Sequence, residues 1–208
     1  PRREHLRFRF MNEKSIFTAT VHAGENHEHH YGALSVPIYP ASVYAFPDAE
    51  EGAAIHNEEK AGYYYGRLGN PTQHALESAM TELENAEAAL ALASGMAAVS
   101  AAVFTVVKSG DHIVAPLSGY STTANFLRHI ERFGIETTFV DATNAENFAD
   151  AARPNTKLFW TESPSNPIVQ ITDLSTIHLP RHAISGHWIS ASMLSFIVQR
   201  SILAVTVI

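Results

Sequence analysis

The pattern of apolar and polar positions changes near residue 71 of the chain. Residues 32–60 contain many turn-forming and acidic residues without a sustained period, which predicts loops. From Pro71 onward, apolar residues recur at helical spacing through PTQHALESAMTELENAEAAL, with glutamates between them, so we predict a helix. Asn70 is a suitable N-cap and Pro71 suits the first helical position, which fixes the expected start of this helix.

Short apolar runs then alternate with helical patterns as far as residue 162. The runs ALALAS, DHIVAP, IETTFVD and TKLFWTE predict strands, the first of them buried. Between them, SGMAAVSAAVFTVVKSG predicts a helix that stops at Gly110, STTANFLRHIERFG a helix that ends at Gly134, and AENFADAA a short helix. This alternation predicts an α/β fold with a mostly parallel sheet and helices on both faces.

In a sheet of this kind, ligands bind beyond the carboxyl ends of the strands, which selects the loops at residues 94–96, 116–120 and 163–167. Gly95 lets the N–H groups of a helix start approach a phosphate. Tyr120 offers a ring that can stack on a flat cofactor, and Asn166 offers a side-chain amide to a ligand oxygen. Taken singly, each of these residues is more often part of an ordinary turn or of the packing.

Composition removes several other classes of function. The net charge of −7 makes nucleic acid an unexpected partner. The chain has no cysteine, which excludes disulfides, thiolate nucleophiles and zinc–cysteine sites. None of the three loops carries the G-x-G-x-x-G pattern, so a nicotinamide enzyme is disfavoured. His27, His29 and His30 gather in ENHEHHYG with loose spacing, which favours a solvated loop over a metal site, and no metal is expected.

Five segments occur in an order and spacing that resemble the Cys/Met-metabolism family of pyridoxal-phosphate-dependent enzymes. They are GALSVPIYPASVY, YYYGRLGNPT, ASGMAA, GDHIVAPLSGYSTT and WTESPSNP. That family includes methionine γ-lyase, cystathionine γ-lyase, cystathionine γ-synthase and the O-acylhomoserine sulfhydrylases. The resemblance runs from residue 17 to about residue 174 and implies the large, aminotransferase-like domain of the fold-type I pyridoxal-phosphate enzymes.

The resemblance implies a role for the tyrosine and arginine of the loop YGRLGNPT. In similar enzymes, a Tyr-x-Arg pair reaches into the neighbouring subunit and binds the phosphate of pyridoxal 5′-phosphate, and Tyr65 and Arg67 match that pair. Arginine suits the task because its planar fork grips two phosphate oxygens at once. Gly95 and Met96 match the backbone N–H donors to the same phosphate.

Three further residues match positions around the cofactor ring in this family. Tyr120 matches the tyrosine that stacks on the pyridine ring and assists proton transfer, so the resemblance makes it the catalytic candidate. Its segment reads YSTT where the family usually has YGGT. Asn166 matches the asparagine that bonds the ring oxygen of the cofactor, and Glu162 occupies the family's acidic position beside it.

The resemblance also implies an activity and its partners. The implied reaction is β- or γ-elimination or replacement on a sulfur-containing amino acid. A methionine or cystathionine γ-lyase is slightly favoured over a γ-synthase or an O-acylhomoserine sulfhydrylase. Same-family subunits, which form a tetramer in relatives, are the expected partners. A cytoplasmic location is expected, with no nucleic acid and no membrane.

Beyond ITDLSTI the chain departs from the family pattern. A strand with an aspartate and a Ser-x-Thr-Lys segment with the Schiff-base lysine should follow, but residues 175–208 contain no acidic residue and no lysine. The lysines of the chain lie elsewhere, and none is in such a context: Lys14, Lys60, Lys108 and Lys157. We therefore expect this chain to be inactive by itself, either as an enzyme fragment or as a non-catalytic pseudoenzyme that binds an intact homologue.

These observations divide the chain into four segments. Residues 1–16 are expected to be a disordered leader, residues 17–70 an N-terminal arm with subunit-contact loops, and residues 71–174 a partial cofactor-binding α/β domain. Residues 175–208 are expected to be an apolar tail outside the family, and the hypothesis for it is a shifted reading frame, a retained intron or a wrong gene model that begins near Ile177. WISASMLSFIVQRSILAVTVI is long enough to span a bilayer, but Gln199 and Arg200 lie inside it, so a membrane anchor is the less favoured alternative.

Overall fold

A computed structural model describes residues 15–173, 187–191, 195–199 and 203–207 of the 208-residue chain. The chain divides into two compact units, Pro1–Asn85 and Ala86–Ile208, called here the first and second units. The division falls after the helix that begins at Pro71, whereas the sequence analysis placed a boundary before that helix. Each unit is described by itself.

The described part of the first unit is helical with long connecting loops. Its α-helices are α1 (Ile16–His22), α2 (Ala49–His56) and α3 (Pro71–Leu83), and a 3-10 turn covers His27–His30. Helix α2 lies inside the region predicted as loops, and that prediction was wrong for these residues. The reason is local capping: the Asp48 carboxylate accepts the Glu51 N–H at 2.8 Å, and two glutamates lie in the first turn.

Helix α3 begins where the sequence predicted. The Asn70 side-chain oxygen accepts the Thr72 N–H at 2.8 Å, and Pro71 occupies the first turn. The same side chain donates from its amide nitrogen to the Tyr39 carbonyl at 2.8 Å and to the Tyr44 hydroxyl at 3.1 Å. Asn70 therefore caps the helix and also fastens the preceding loop to the helix start.

The predicted alternation of strands and helices is confirmed in the second unit. Its first seven elements are β1 (Ala88–Leu92), α4 (Gly95–Val106), β2 (His112–Pro116), α5 (Ser121–His129), β3 (Glu136–Val140), α6 (Glu146–Asp150) and β4 (Thr156–Glu162). Helix α5 continues as a 3-10 turn to Gly134, whose φ of +77° ends it as predicted. Helix α4 ends at Val106, not at Gly110, because Val107 already has an extended backbone. Gly110, with φ of +88°, shapes the following turn instead.

Three more strands, β5 (His187–Ala191), β6 (Ser195–Gln199) and β7 (Leu203–Val207), complete a seven-stranded sheet in the order β1-β7-β6-β5-β4-β2-β3. Only β6 runs antiparallel to its neighbours, so the predicted mostly parallel sheet is confirmed. These strands occupy the stretch weighed above as a membrane anchor. Among the described residues, no helix is both long enough and apolar enough to cross a bilayer.

The core of the second unit follows the alternation of side chains along β2 and β4. Ile113 and Trp160 pack with α4 and α5 on one face of the sheet, whereas Val114 and Phe159 pack with α6 on the other. Helices thus cover both faces, as predicted. Strand β1 is not buried, contrary to the prediction: it forms an edge of the sheet, and Leu90 is 45% exposed.

A buried histidine joins the three strands β2, β3 and β4. The His112 ring lies 2.8 Å from the Thr156 hydroxyl through Nδ1 and 2.8 Å from the Thr138 hydroxyl through Nε2. Since the Thr156 oxygen already accepts the Arg153 N–H at 2.7 Å, its own proton is free to point at Nδ1. This network suits a neutral ring that carries its proton on Nε2. Burial, reinforced by the nearby Arg153 charge, lowers the pKa of His112 to about 4.

We predict that His112 makes folding stability depend on pH between about 6.5 and 4. In this window the ring stays neutral in the folded chain but binds a proton in the unfolded chain, so the unfolded state binds more protons and stability falls as the pH is lowered. Urea denaturation midpoints measured from pH 7 to pH 4 test this for the parent chain and for His112→Gln. The stability difference between the two chains should narrow as the pH falls. A difference that stays constant over the window would contradict the prediction.

Candidate functional site

The carboxyl ends of β2 and β4 meet at one edge of the sheet because the two strands pair in parallel. Glu162 ends β4, and both oxygens of its carboxylate accept the Tyr120 N–H, at 3.0 and 2.9 Å. One of these oxygens also accepts the Asn166 N–H at 3.3 Å. A single carboxylate therefore joins the loop that follows β2 to the loop that follows β4, and it brings together two of the predicted site residues.

A pair of serines makes a second link between the same loops. The Ser118 and Ser165 hydroxyls lie 3.2 Å apart, and Ser165 is buried. Ser165 also accepts the Gln170 N–H on its hydroxyl at 3.1 Å and donates its own N–H to the Gln170 carbonyl at 2.9 Å. The sequence analysis missed this pair, because residues separated by 47 positions leave no local signal of their contact.

The two loops hold the backbones of Tyr120 and Asn166 but leave their side chains open. The Tyr120 side chain is at the surface, since the residue is 46% exposed, and Asn166 is exposed as well. Within the described residues, the structure records no hydrogen bond from either side chain. A ring and an amide with fixed backbones and free polar atoms suit contact with a flat, oxygen-bearing ligand.

Helix α4 presents an open N-terminus at the same edge of the sheet, after β1. The Ser94 side chain accepts the Ala97 N–H at 3.2 Å, and the Ser94 carbonyl accepts the Ala98 N–H at 3.1 Å. No acceptor is recorded among the described residues for the N–H groups of Gly95 and Met96. The first turn carries no acidic side chain. These donors and the positive end of the helix suit an anion such as a phosphate.

The start of α5 differs from that of α4 because an acidic group already occupies it. Tyr120 is the N-cap of α5 and makes no side-chain cap, and the Glu162 carboxylate accepts the Tyr120 N–H beside this helix start. Four strands separate β1 from β2 in the sheet, and α4 packs against α5. A carboxylate of the chain thus lies beside the start of α5, whereas the first turn of α4 has no acidic side chain.

In the first unit, Tyr65 and Arg67 lie together on one exposed loop. The Arg67 guanidinium carbon is 5.0 Å from the centroid of the Tyr65 ring, within cation–π range. Between them, Gly66 donates its N–H to the Ser42 carbonyl at 2.8 Å, and a Cβ at this position would lie 3.1 Å from the Ala41 carbonyl oxygen. Glycine is therefore favoured here by close backbone approach, and the loop displays the arginine.

Two of the three grouped histidines make bonds within the first unit. His27 Nδ1 lies 2.8 Å from the Ala33 carbonyl oxygen, and His30 Nδ1 lies 3.2 Å from the Tyr39 hydroxyl. Across the described part of the chain, no group of three or more histidine, aspartate or glutamate residues is arranged to hold a metal ion.

The lysines described in the second unit do not lie at the site edge. Lys60 pairs with Glu51 at 2.7 Å in the first unit. In the second unit, Lys108 precedes β2 and Lys157 is the second residue of β4, so both lie at the amino ends of parallel strands. Lys157 and Glu162 are five residues apart on one strand, or about 16 Å, with the site at the glutamate end.

Comparison with known proteins shows to which protein family the chain belongs. The family model described as "Cys/Met metabolism PLP-dependent enzyme" matches residues 17–202, and the chain belongs to this family. The match extends past residue 174, where the resemblance of the motifs stopped. The L-methionine γ-lyase of Fusobacterium nucleatum is 40% identical over 173 residues, which cover 83% of this chain and 44% of that protein.

Two further relatives give the same result. The cystathionine γ-lyase of Bacillus subtilis is 43% identical over 159 residues, covering 76% of this chain and 40% of that protein. A solved structure of a candidate O-acetylhomoserine (thiol)-lyase of Campylobacter jejuni matches with a TM-score of 0.75 and 29% sequence identity. The match covers 86% of this chain and 44% of the Campylobacter jejuni chain, which contains a pyridoxyl-lysine phosphate group. The chain therefore spans less than half the length of these relatives.

The described residues fit the non-covalent part of the family's cofactor, pyridoxal 5′-phosphate. The two N–H donors at the start of α4 suit its phosphate, and the exposed side chains of Tyr120 and Asn166 suit its ring. A covalent link to the cofactor has no candidate lysine in the described part of the second unit, because Lys108 and Lys157 lie at the opposite edge of the sheet.

We predict that Asn70→Ala destabilises the chain by about 1–2 kcal/mol, since it removes a helix cap and the bonds to the Tyr39–Tyr44 loop. Urea denaturation followed by far-UV circular dichroism measures the change. Asn57→Ala is the matched control, because Asn57 is exposed and no side-chain hydrogen bond is recorded for it in the described structure. Equal effects of the two substitutions would contradict the assigned role of Asn70.

Proposed function

We propose that this chain supplies the cofactor-binding edge of a pyridoxal-phosphate-dependent enzyme that acts on sulfur amino acids in the manner of a methionine or cystathionine γ-lyase. The observation that carries the proposal is the Glu162 bridge, which fixes the backbones of Tyr120 and Asn166 while their side chains stay open. The γ-lyase character draws support from relatives 40% and 43% identical to the chain. A γ-synthase or an O-acylhomoserine sulfhydrylase is the alternative.

Each predicted site residue has a proposed role in holding the cofactor. Gly95 and Met96 donate their N–H groups to its phosphate, and the positive end of α4 adds to the attraction. Arg67, displayed beside Tyr65, supplies a bidentate cation to the phosphate bound by a neighbouring same-family subunit. Asn166 donates from its amide to the ring oxygen. The partner subunits form a tetramer in this proposal, and the location is cytoplasmic.

Tyr120 has two proposed tasks at this edge. Its ring lies against the face of the cofactor, which positions the cofactor over the edge of the sheet. Its hydroxyl, at Oη, moves a proton to or from the substrate amino acid. When bound, pyridoxal 5′-phosphate supplies the electron sink that makes loss of the Cα proton possible. The Glu162 bridge limits the freedom of the Tyr120 backbone and so favours one ring position.

A second candidate function is non-catalytic and rests on the lysines. Those in the described part of the second unit lie at the amino ends of their strands, away from the site edge. The 208-residue polypeptide is therefore proposed to release no α-keto acid by itself and to bind an intact homologue through the Tyr65–Arg67 loop. Co-purification with an intact homologue would favour this function, and α-keto acid release by the pure polypeptide would contradict it.

A chimera tests the catalytic proposal. Residues 17–173 would replace the matching segment of the Fusobacterium nucleatum L-methionine γ-lyase, which then supplies the rest of the enzyme. We expect the chimera to release α-keto acid from L-methionine. Tyr120→Phe should lower its kcat by about 100-fold or more, since proton-transfer groups contribute that much.

The chimera needs a control that separates loss of chemistry from loss of folding. Tyr31→Phe serves, because Tyr31 is a fully exposed tyrosine of the first unit and should leave kcat unchanged within about twofold. A folded chimera that binds pyridoxal 5′-phosphate and shows no turnover would overturn the catalytic proposal. Equal kcat in the Tyr120→Phe chimera and its parent would overturn the role of the Tyr120 hydroxyl.

A further inference from the structure

We propose that Glu162 is a positioning residue, which sets the place of Tyr120 and Asn166 at the site edge without touching the substrate. This inference rests on the proposed function and identifies the side chain that holds the two loops of its site in place. Glu162 ends β4, whose preceding residues Trp160 and Thr161 are buried, so its backbone belongs to the rigid centre of the unit. A side chain fixed there is a suitable anchor for two mobile elements such as loops.

Both oxygens of the Glu162 carboxylate accept hydrogen bonds from backbone N–H groups of the two loops. The Tyr120 N–H is shared between the two oxygens at 3.0 and 2.9 Å, and the Asn166 N–H adds a third bond at 3.3 Å to one of them. Charged acceptors make stronger hydrogen bonds than neutral ones. Both donors are backbone groups of site residues, so the restraint acts on the backbones from which the two functional side chains extend.

The approach of the loop to the carboxylate is close. A Cβ placed on Gly119 would lie 3.1 Å from a Glu162 carboxylate oxygen, closer than ordinary van der Waals contact. The carboxylate also lies at the N-terminus of α5, which has no side-chain cap and no acidic residue in its first turn. Its negative charge therefore interacts favourably with the helix as well as with the Tyr120 N–H.

The chemistry of the side chain makes the proposal specific to a carboxylate. Both oxygens of an ionised glutamate accept hydrogen bonds, whereas an amide of the same shape has one acceptor oxygen and an NH₂ group. In Glu162→Gln, the NH₂ group would face a backbone N–H, so at least one of the present bonds is lost. The backbone at Tyr120 should then open more often, while the buried strands keep their packing.

Amide hydrogen exchange, followed by NMR on the full 208-residue chain, tests the restraint directly. In Glu162→Gln, the Tyr120 amide should exchange about tenfold faster or more, and the Ile113 amide in β2 should change by less than twofold. Glu131→Gln is the matched control, because Glu131 is an exposed glutamate on the 3-10 turn after α5. Unchanged exchange at Tyr120 in Glu162→Gln would overturn the inference.

A second variant keeps the test decisive if Glu162→Gln does not fold. Gly119→Ala places a methyl group 3.1 Å from the carboxylate oxygen, so the carboxylate has to shift by a few tenths of an ångström and its bonds to the Tyr120 N–H should weaken. The Tyr120 amide should again exchange faster, while β2 is unaffected. Slow exchange at Tyr120 in a folded Gly119→Ala chain would count against the inference.

Binding of pyridoxine 5′-phosphate separates failure of this inference from failure of the proposed function. This probe has no aldehyde and so tests only non-covalent contacts. Titration calorimetry should show weaker binding, by about fivefold or more, in Glu162→Gln than in Glu131→Gln, with far-UV circular dichroism showing that both variants are folded at the titration temperature. No binding to the parent chain would overturn the proposed function, even where the exchange result holds. Equal binding by both variants would overturn the positioning role alone.

Discussion

Parallel pairing of β2 with β3 and β4 is the constraint on which the site depends. Because these strands run in the same direction, their carboxyl ends and the loops after them lie at one edge of the sheet. His112 joins the amino-terminal ends of β2 and β4 to the middle of β3 through two threonine hydroxyls, and Glu162 joins the loops after β2 and β4 at the opposite edge. Side-chain hydrogen bonds therefore link β2 and β4 at both ends, and Tyr120 and Asn166, which are proposed to meet the cofactor, lie in the loops at their carboxyl ends.

The two helix starts at the site edge of the second unit differ in whether an acidic side chain lies beside them. Helix α4 begins with two N–H groups for which the described structure records no acceptor, and its first turn has no acidic residue. Helix α5 begins at a residue whose N–H is already taken by Glu162. A phosphate at the second helix start would lie near the negative charge of Glu162, whereas no acidic side chain lies in the first turn of the first helix. This difference supports the proposal that the phosphate binds at α4 and the ring at Tyr120.

Local signals allowed much of this arrangement to be predicted from the sequence. Asn70 and Pro71 start a helix, Gly134 ends one, and apolar runs alternate with helical patterns because these preferences act over a few residues. Helix α2 was missed because acidic residues and an Asp48 cap resemble a loop. The exposure of β1 depends on its place in the sheet, and the Ser118–Ser165 contact depends on the fold, so neither could be read locally.

The most direct test of the account follows backbone amide signals by NMR while pyridoxine 5′-phosphate is added to the 208-residue chain. The account predicts that the largest shifts within the second unit occur at Gly95, Met96, Tyr120 and Asn166, with little change at the amino-terminal ends of β2 and β4. Shifts centred on Lys108 and Lys157, or no shifts at all, would contradict the claim that this edge holds the cofactor.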